Sequence, residues 1–228
     1  MKKVDEGIFL FRTSYSETSL IATFYSKESG IKKFIFKGGK KKSHNLFPLA
    51  ISELTFYERK ESDLSNLTNA DPISRQDIQF DAIRSTIAFF MAEVIRKSVD
   101  THEKDEALYN YLVQTIQSLD KSSELSLFPI QFLVDLSIQL GVQPLIEGNN
   151  PVLNFKEGTI GVGEPVGQDK EGGNHIQLLM DIFNKKESLT YPKDTRMNAL
   201  KAMVKYYGYH VPRMEQLDTL EIVQEILS

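Results

Sequence analysis

Between residues 4 and 70 apolar side chains recur with a period near two, and beyond residue 75 with a period near 3.6. The first period belongs to strands whose alternate side chains face one way, the second to helices with one buried stripe. Ile8 to Phe11 and Leu20 to Tyr25 are short apolar runs separated by the turn-prone Ser14-Tyr15-Ser16-Glu17. Ile31 to Phe36 is a third run, bounded by Gly30 and by Gly38-Gly39. Ala50 to Tyr57 alternates cleanly, and Leu64 to Ala70 is a weaker fifth segment after the charged turn Glu58 to Asp63. Short strands at regular spacing with turn signals between them predict a small barrel, and five in about seventy residues is the size of an OB-fold.

The pattern changes at Asp71-Pro72. Phe80, Ile83, Ile87, Phe90, Val94 and Ile95 share one helical face, and Leu108, Leu112, Ile116 and Leu119 another. Pro129 suits a first helical turn, Phe132, Leu133, Leu136 and Leu140 form the next stripe, and Gly141 is a natural stop. Residues 142–173 are rich in Gly and Pro and read as irregular, with one small hairpin of Val152-Leu153-Asn154-Phe155 against Thr159-Ile160-Gly161-Val162. Helical spacing returns with Ile176, Leu179, Met180 and Phe183, then Leu200, Met203, Val204 and Tyr207, then Leu217, Leu220, Val223 and Leu227. The expected class is α+β in two domains: an OB-fold β-barrel over 1–75, and a helical domain over 76–228 into which the 142–173 loop and hairpin are inserted.

Composition adds direction. Hydrophobic residues at 41% and charged residues at 25% are ordinary for a soluble globular protein. The chain has no cysteine, which excludes disulfides and thiolate metal sites. The opening MKKVDEGIFLF places Asp5 and Glu6 where the apolar segment of a signal peptide would start, so a cytoplasmic location is expected. Charge is uneven. Residues 1–60 hold twelve Lys or Arg against six Asp or Glu, and residues 61–228 hold fifteen against twenty-five. A basic front and an acidic rear suit two modules with different partners, the front meeting an anion.

No catalytic constellation is evident. His44, His102, His175 and His210 share no metal-type spacing and read as surface or helix-end residues. Gly161-Val162-Gly163-Glu164-Pro165 lacks the third glycine of a dinucleotide turn, and Gly38-Gly39-Lys40 lacks the spacing of a phosphate-binding P-loop. The carboxylates are scattered over helical faces. A nuclease would need them clustered around a metal. The expectation is a protein that is not an enzyme and holds no cofactor.

Binding chemistry remains. Lys32 to Ser43, read as KKFIFKGGKKKS, joins a strand to a glycine pair and three lysines, with no carboxylate between Ile31 and Ala50. Lys32, Lys33, Lys37, Lys40, Lys41 and Lys42, with Arg12 and with Arg59 and Lys60 nearby, can line one barrel face and neutralise phosphates. Solubilising lysines on a hairpin tip are the simpler alternative. Tyr15, Tyr25, Phe34, Phe36 and Tyr57 are aromatic enough to stack on bases. Most phenylalanines fall on alternating positions and belong to the barrel core. Tyr15 sits in a polar turn and is the better candidate. Phosphate contacts do not separate DNA from RNA.

Several segments then converge on one family. Glu6-Gly7-Ile8, Tyr15-Ser16-Glu17, Leu20-Ile21, Thr23-Phe24-Tyr25-Ser26, Lys37-Gly38-Gly39-Lys40-Lys41 and Leu46-Phe47-Pro48-Leu49 resemble the opening of the bacterial RecO family. Phe90-Met91-Ala92-Glu93 resembles its first helix, and Tyr206-Tyr207 with His210 its C-terminal end. The resemblance implies binding of single- and double-stranded DNA and annealing of complementary strands. It implies partnership with RecR and with the C-terminal tail of single-stranded DNA-binding protein, a functional link to RecA, and a nucleoid-associated location with no membrane role. The tail is acidic and ends in an apolar residue, so it needs a groove flanked by cations. Lys201, Lys205 and Arg213, near the C-terminal aromatic cluster, fit that role, and a solvated last helix is the alternative. Many members carry four zinc-binding cysteines about where Val142 to Gly173 stands here. This chain has none, so zinc is not expected. The rival to the whole reading is a scaffold whose barrel binds protein and not DNA.

Overall fold

The computed structural model of the chain describes residues 1–42, 45–58, 64–99, 103–214 and 216–226, with the side chain of Lys42 outside that description. Ser43, His44, Arg59, Lys60, His102 and Leu227, all named above, also lie outside the described residues. Packing divides the chain into two compact units, residues 1–123 and 124–228.

The first unit is built on a closed barrel. Its strands are β1 (Lys2–Ser14), β2 (Leu20–Ser26), β3 (Gly30–Phe36), β4 (Ile51–Tyr57) and β5 (Leu64–Pro72), and a one-turn helix α1 (Gly39–Lys42) follows β3. The strand order around the barrel is β1-β2-β3-β5-β4, antiparallel except for the parallel β3–β5 pair. One strand serves both edges: the first half of β1 pairs with β4 and the second half with β2. A bulge between Phe9 and Phe11 supplies the extra twist that this bend needs.

The phenylalanines fill the interior. Phe9, Phe24, Phe34 and Phe56 are buried and meet edge to face, with ring centroids at 5.3 Å (Phe9–Phe24), 5.7 Å (Phe24–Phe34) and 5.1 Å (Phe34–Phe56). That geometry brings the positive ring edge against the negative ring face and adds to the burial term. Phe36, Leu20, Leu54 and Leu67 complete the same core.

Two long helices finish this unit, α2 (Ala82–Ser98) and α3 (Glu106–Lys121). Asp81 and Asp105 cap them, accepting from Arg84 N (2.8 Å) and Leu108 N (2.9 Å). The outward residues Ile8 and Leu10 of β1 are buried, with α2 packed on that strand. Tyr25 of β2 stacks on Tyr109 of α3 at 6.3 Å. The strand-to-helix switch therefore falls where the period changes, near residue 75, while the break in packing comes later, because α2 and α3 spend apolar surface on the barrel. One detail differs from the helical reading. Phe80 is 75% exposed in a 3-10 turn (Ile78–Phe80), since Asp81 caps the helix only after it.

The second unit holds α4 (Phe128–Gln139), α5 (Asn174–Phe183), α6 (Lys193–His210) and α7 (Leu220–Ile226). Tyr207 of α6 donates its hydroxyl to Leu133 O of α4 at 2.8 Å. The stretch expected to be irregular with a single hairpin is more regular than that. It carries β6 (Leu145–Ile146), β7 (Val152–Asn154), β8 (Thr159–Ile160) and β9 (Lys170–Gly172) in one sheet of order β6-β8-β7-β9. The glycines that read as loop signals mark a close crossing. Gly161 has φ +107°, and a Cβ there would stand 2.2 Å from Gly148 O. Only bare backbone passes at that distance.

Candidate nucleic-acid interface

Strand register decides where each cation of the basic stretch can point. On β3, Lys32 shares its face with Phe34 and Phe36, whereas Lys33 stands on the opposite, outer face. Lys33, Lys37, Lys40 and Lys41 are exposed. The glycine pair does not open the hairpin tip of the simpler alternative. It starts α1, which lies flat on the barrel end. A Cβ on Gly39 would stand 2.9 Å from the Phe36 ring and 3.1 Å from Leu20 Cδ1, so a side chain there would lift the turn away. Lys40 N donates to Thr18 O at 3.2 Å and Lys41 N to Gly38 O at 3.2 Å. Tyr15, 58% exposed, belongs to the neighbouring β1–β2 turn, closed by Tyr15 N to Ser19 O at 3.0 Å. Arg12 is exposed and pairs with Ala22, on the inward-facing row near the same end of β1. The structure thus brings Tyr15, Lys37, Lys40 and Lys41 to one end of the barrel, with Arg12 beside them and Lys33 on the outer wall.

Lys32 does not join that group. Its Nζ lies 3.1 Å from Glu58 Oε1 and 4.5 Å from the centre of the Phe56 ring, at the other end of the barrel. Its side chain is only 15% exposed. Lys3 Nζ takes the other oxygen, Glu58 Oε2, at 2.7 Å. Hydrogen bonds from Lys3 and Lys32 hold the Glu58 carboxyl below its usual range. The signal was present in the sequence: Lys32 shares parity with the core residues Phe34 and Phe36. Its partner Glu58 is 26 residues away and invisible to local reading.

The other aromatics sort by burial. Phe34, Phe36 and Tyr25 are enclosed, and burial pushes the Tyr25 hydroxyl upward in pKa. Tyr57 is 46% exposed on the outer face of β4.

In the second unit Lys201 is exposed on α6. Lys205 is engaged, 2.7 Å from Glu171 Oε1 and 4.0 Å from the centre of the Phe155 ring. Both line an open groove of about 420 Å³ with Val204, Tyr209, Met214 and Leu220. Arg213 stands outside that lining, in a left-handed conformation with φ 79°.

The small sheet is the place to test for zinc. Its stretch supplies carboxylates but no thiolate, and among the described residues no group of three or more His, Cys, Asp or Glu could hold a metal. The residues present do not fit the ion. The segment is held by packing and hydrogen bonds: Val152, Leu153, Phe155 and Ile160 are buried, His210 Nε2 lies 2.6 Å from Phe155 O, and Tyr206 donates to Val142 O at 2.8 Å. His175 and His210 stand at the ends of α5 and α6.

Residues 1–75 match the family model described as Recombination protein O N terminal, and residues 79–147 match Recombination protein O C terminal. The chain belongs to the RecO family. Among its relatives are the DNA repair proteins RecO of Flavobacterium psychrophilum (25% identical, 98% of each chain covered) and of Porphyromonas gingivalis (25%, 99% of each). That of Bacteroides fragilis is 26% identical over 97% of this chain and 98% of its own. RecO membership carries a role in DNA repair and recombination. The two RecO models meet between residues 75 and 79, where strands give way to helices, and the second stops at the beginning of the small sheet. Among the described residues no helix is long and apolar enough to cross a membrane.

Proposed function

We propose that this chain is a recombination mediator without catalytic chemistry, acting on DNA in the cytoplasm at the nucleoid. It binds single- and double-stranded DNA through the phosphate backbone, anneals complementary strands, and works with RecR to load RecA onto DNA coated by single-stranded DNA-binding protein. The observation that carries this reading is the anchored basic turn: Lys40 and Lys41 on a one-turn helix seated against Phe36 and Leu20, with Lys37 in the turn before it and Tyr15 beside it. Annealing requires that two polyanions approach. Lysines that neutralise phosphates lower that barrier and release counterions. Arg12 and Lys33 extend the charged surface, Lys42 continues the run, and Tyr15 offers a ring for stacking.

The groove between α6 and α7 supports the partner half of the reading. Lys201 and Lys205 flank an apolar floor of Val204, Met214 and Leu220, a chemistry suited to an acidic tail with an apolar end. Zinc has no part in this mechanism.

The test is binding of a labelled oligonucleotide across a salt series, followed by annealing of DNA coated with single-stranded DNA-binding protein, with and without its tail. The expected result is affinity that falls steeply with salt, weakens when Lys40, Lys41 and Lys42 become alanine, and annealing that needs the tail. Binding that is absent at low salt would leave the protein scaffold as the reading.

A further inference from the structure

We propose that Lys3 and Lys32 form a second phosphate site, at the end of the barrel opposite the basic turn, which Glu58 occupies when no nucleic acid is bound. The inference rests on the DNA-binding reading above and deepens it, since a protein that anneals must handle two backbones.

The geometry is that of an anion clamp. Two ammonium groups converge on one carboxylate, one on each oxygen, at 2.7 Å and 3.1 Å. A phosphodiester presents a similar pair of anionic oxygens, so Glu58 stands where such a phosphate group would sit. Lys32 needs an anion there. Its side chain is 15% exposed and its ammonium lies over the Phe56 ring, and a cation held in a largely buried side chain is costly to leave unpaired. Any group with two anionic oxygens meets that need. Glu58 can leave by side-chain rotation alone, because it lies just past β4 and its backbone N–H stays bonded to Met1 O at 3.3 Å. Two positive charges against one negative leave the clamp cationic in its resting state. Beside it, Lys2 and Tyr57 face each other across the β1–β4 ladder, both exposed, so a cation and a ring flank the clamp on the outer wall. The ligand is therefore a nucleic-acid backbone, and the resting carboxylate keeps the second site from competing with the first at low occupancy.

The experiment measures binding of a single-stranded oligonucleotide over a salt series to four full-length proteins: wild type, Glu58→Gln, Glu53→Gln, and Glu58→Gln with Lys3→Ala. Glu53 is an exposed carboxylate on β4, the strand that Glu58 follows, and corrects for the change in net charge. One added phosphate contact steepens the slope of log affinity against log salt by about 0.7. That increment is expected in Glu58→Gln, is absent in Glu53→Gln and disappears again when Lys3 is removed. Equal behaviour of the two glutamine variants overturns the second site. A parallel Lys40→Ala, Lys41→Ala variant keeps the two claims apart. If it loses affinity while Glu58→Gln matches wild type, only the second site falls. If no protein in the set binds, both readings fall. Lysine acetylation footprinting of the wild type supplies a measurement that needs no variant. Protection of Lys3 at excess oligonucleotide supports the site, and undiminished labelling of Lys3 when Lys40 and Lys41 are protected overturns it.

Discussion

The barrel and the small sheet are both β-structures, and they are stabilised in opposite ways. The barrel encloses its own core: strands of seven to thirteen residues close on one another around a set of phenylalanines packed edge to face. The small sheet has strands of two or three residues and encloses nothing. Its order comes from outside, from α5, which packs on β7 and β9, and from side chains of α6. Phe155 stacks on Tyr209 at 5.9 Å, His210 and Tyr206 hold backbone carbonyls, and Lys205 spans Phe155 and Glu171. A closed sheet can be altered on its surface without loss of structure. A borrowed one fails when its helix does.

The largest effect should come from Phe34→Ala. It removes a fully buried ring that touches two others, at a cost of about 3–5 kcal/mol, and chemical denaturation should show the barrel unfolding at much lower denaturant. Phe155→Ala should cost about 3 kcal/mol locally. Hydrogen exchange should then show amides of residues 145–172 losing protection while those of the barrel strands keep theirs. Equal loss in both regions would break the comparison. Tyr206→Phe deletes one hydroxyl bond to Val142 O, and about 1 kcal/mol of protection should go from the same segment. Lys40→Ala with Lys41→Ala should change stability by less than about 0.5 kcal/mol, since both side chains are exposed. The same pair should flatten the salt dependence of oligonucleotide binding by about 1.4 in slope.

The smallest effect is a pH dependence inside the barrel. Burial raises the Asp5 pKa, and hydrogen bonds from the Ser26 hydroxyl and Glu6 N–H only partly oppose it. A raised folded value means that the native state holds the proton more tightly than the unfolded chain. Stability contributed by Asp5 should therefore be present below its ordinary value of 3.8 and decline as pH rises through the folded value. Asp5→Asn should remove that decline, read as a flatter plot of denaturation midpoint against pH.

The same contrast explains how much was legible in the sequence. The barrel could be read because enclosure imposes alternation: each inward phenylalanine forces a two-residue period on its strand. The basic turn could be read because charge is a property of composition and survives any register. What α1 does with Gly39 could not be read, because the clash that forbids a side chain involves Leu20, on another strand. The end of the barrel to which Lys32 belongs could not be read for a similar reason. Its lysine identity suggested solvent, while its parity with Phe34 pointed inward, and the deciding partner lies past the end of β4. The small sheet was half seen. A two-residue strand carries no period, and Gly148 and Gly161 look like loop residues until their backbones are found in contact.

The anchoring of the basic turn has an evolutionary consequence. Gly39 carries the fit to the barrel, while Lys37, Lys40 and Lys41 hold their charged side chains at the surface. A single-base change can turn a lysine codon into one for glutamate, and at these three positions such a change leaves the core untouched. Strength of grip on a polyanion can therefore drift up or down across descendants of this chain, one charge at a time, while selection on folding acts elsewhere.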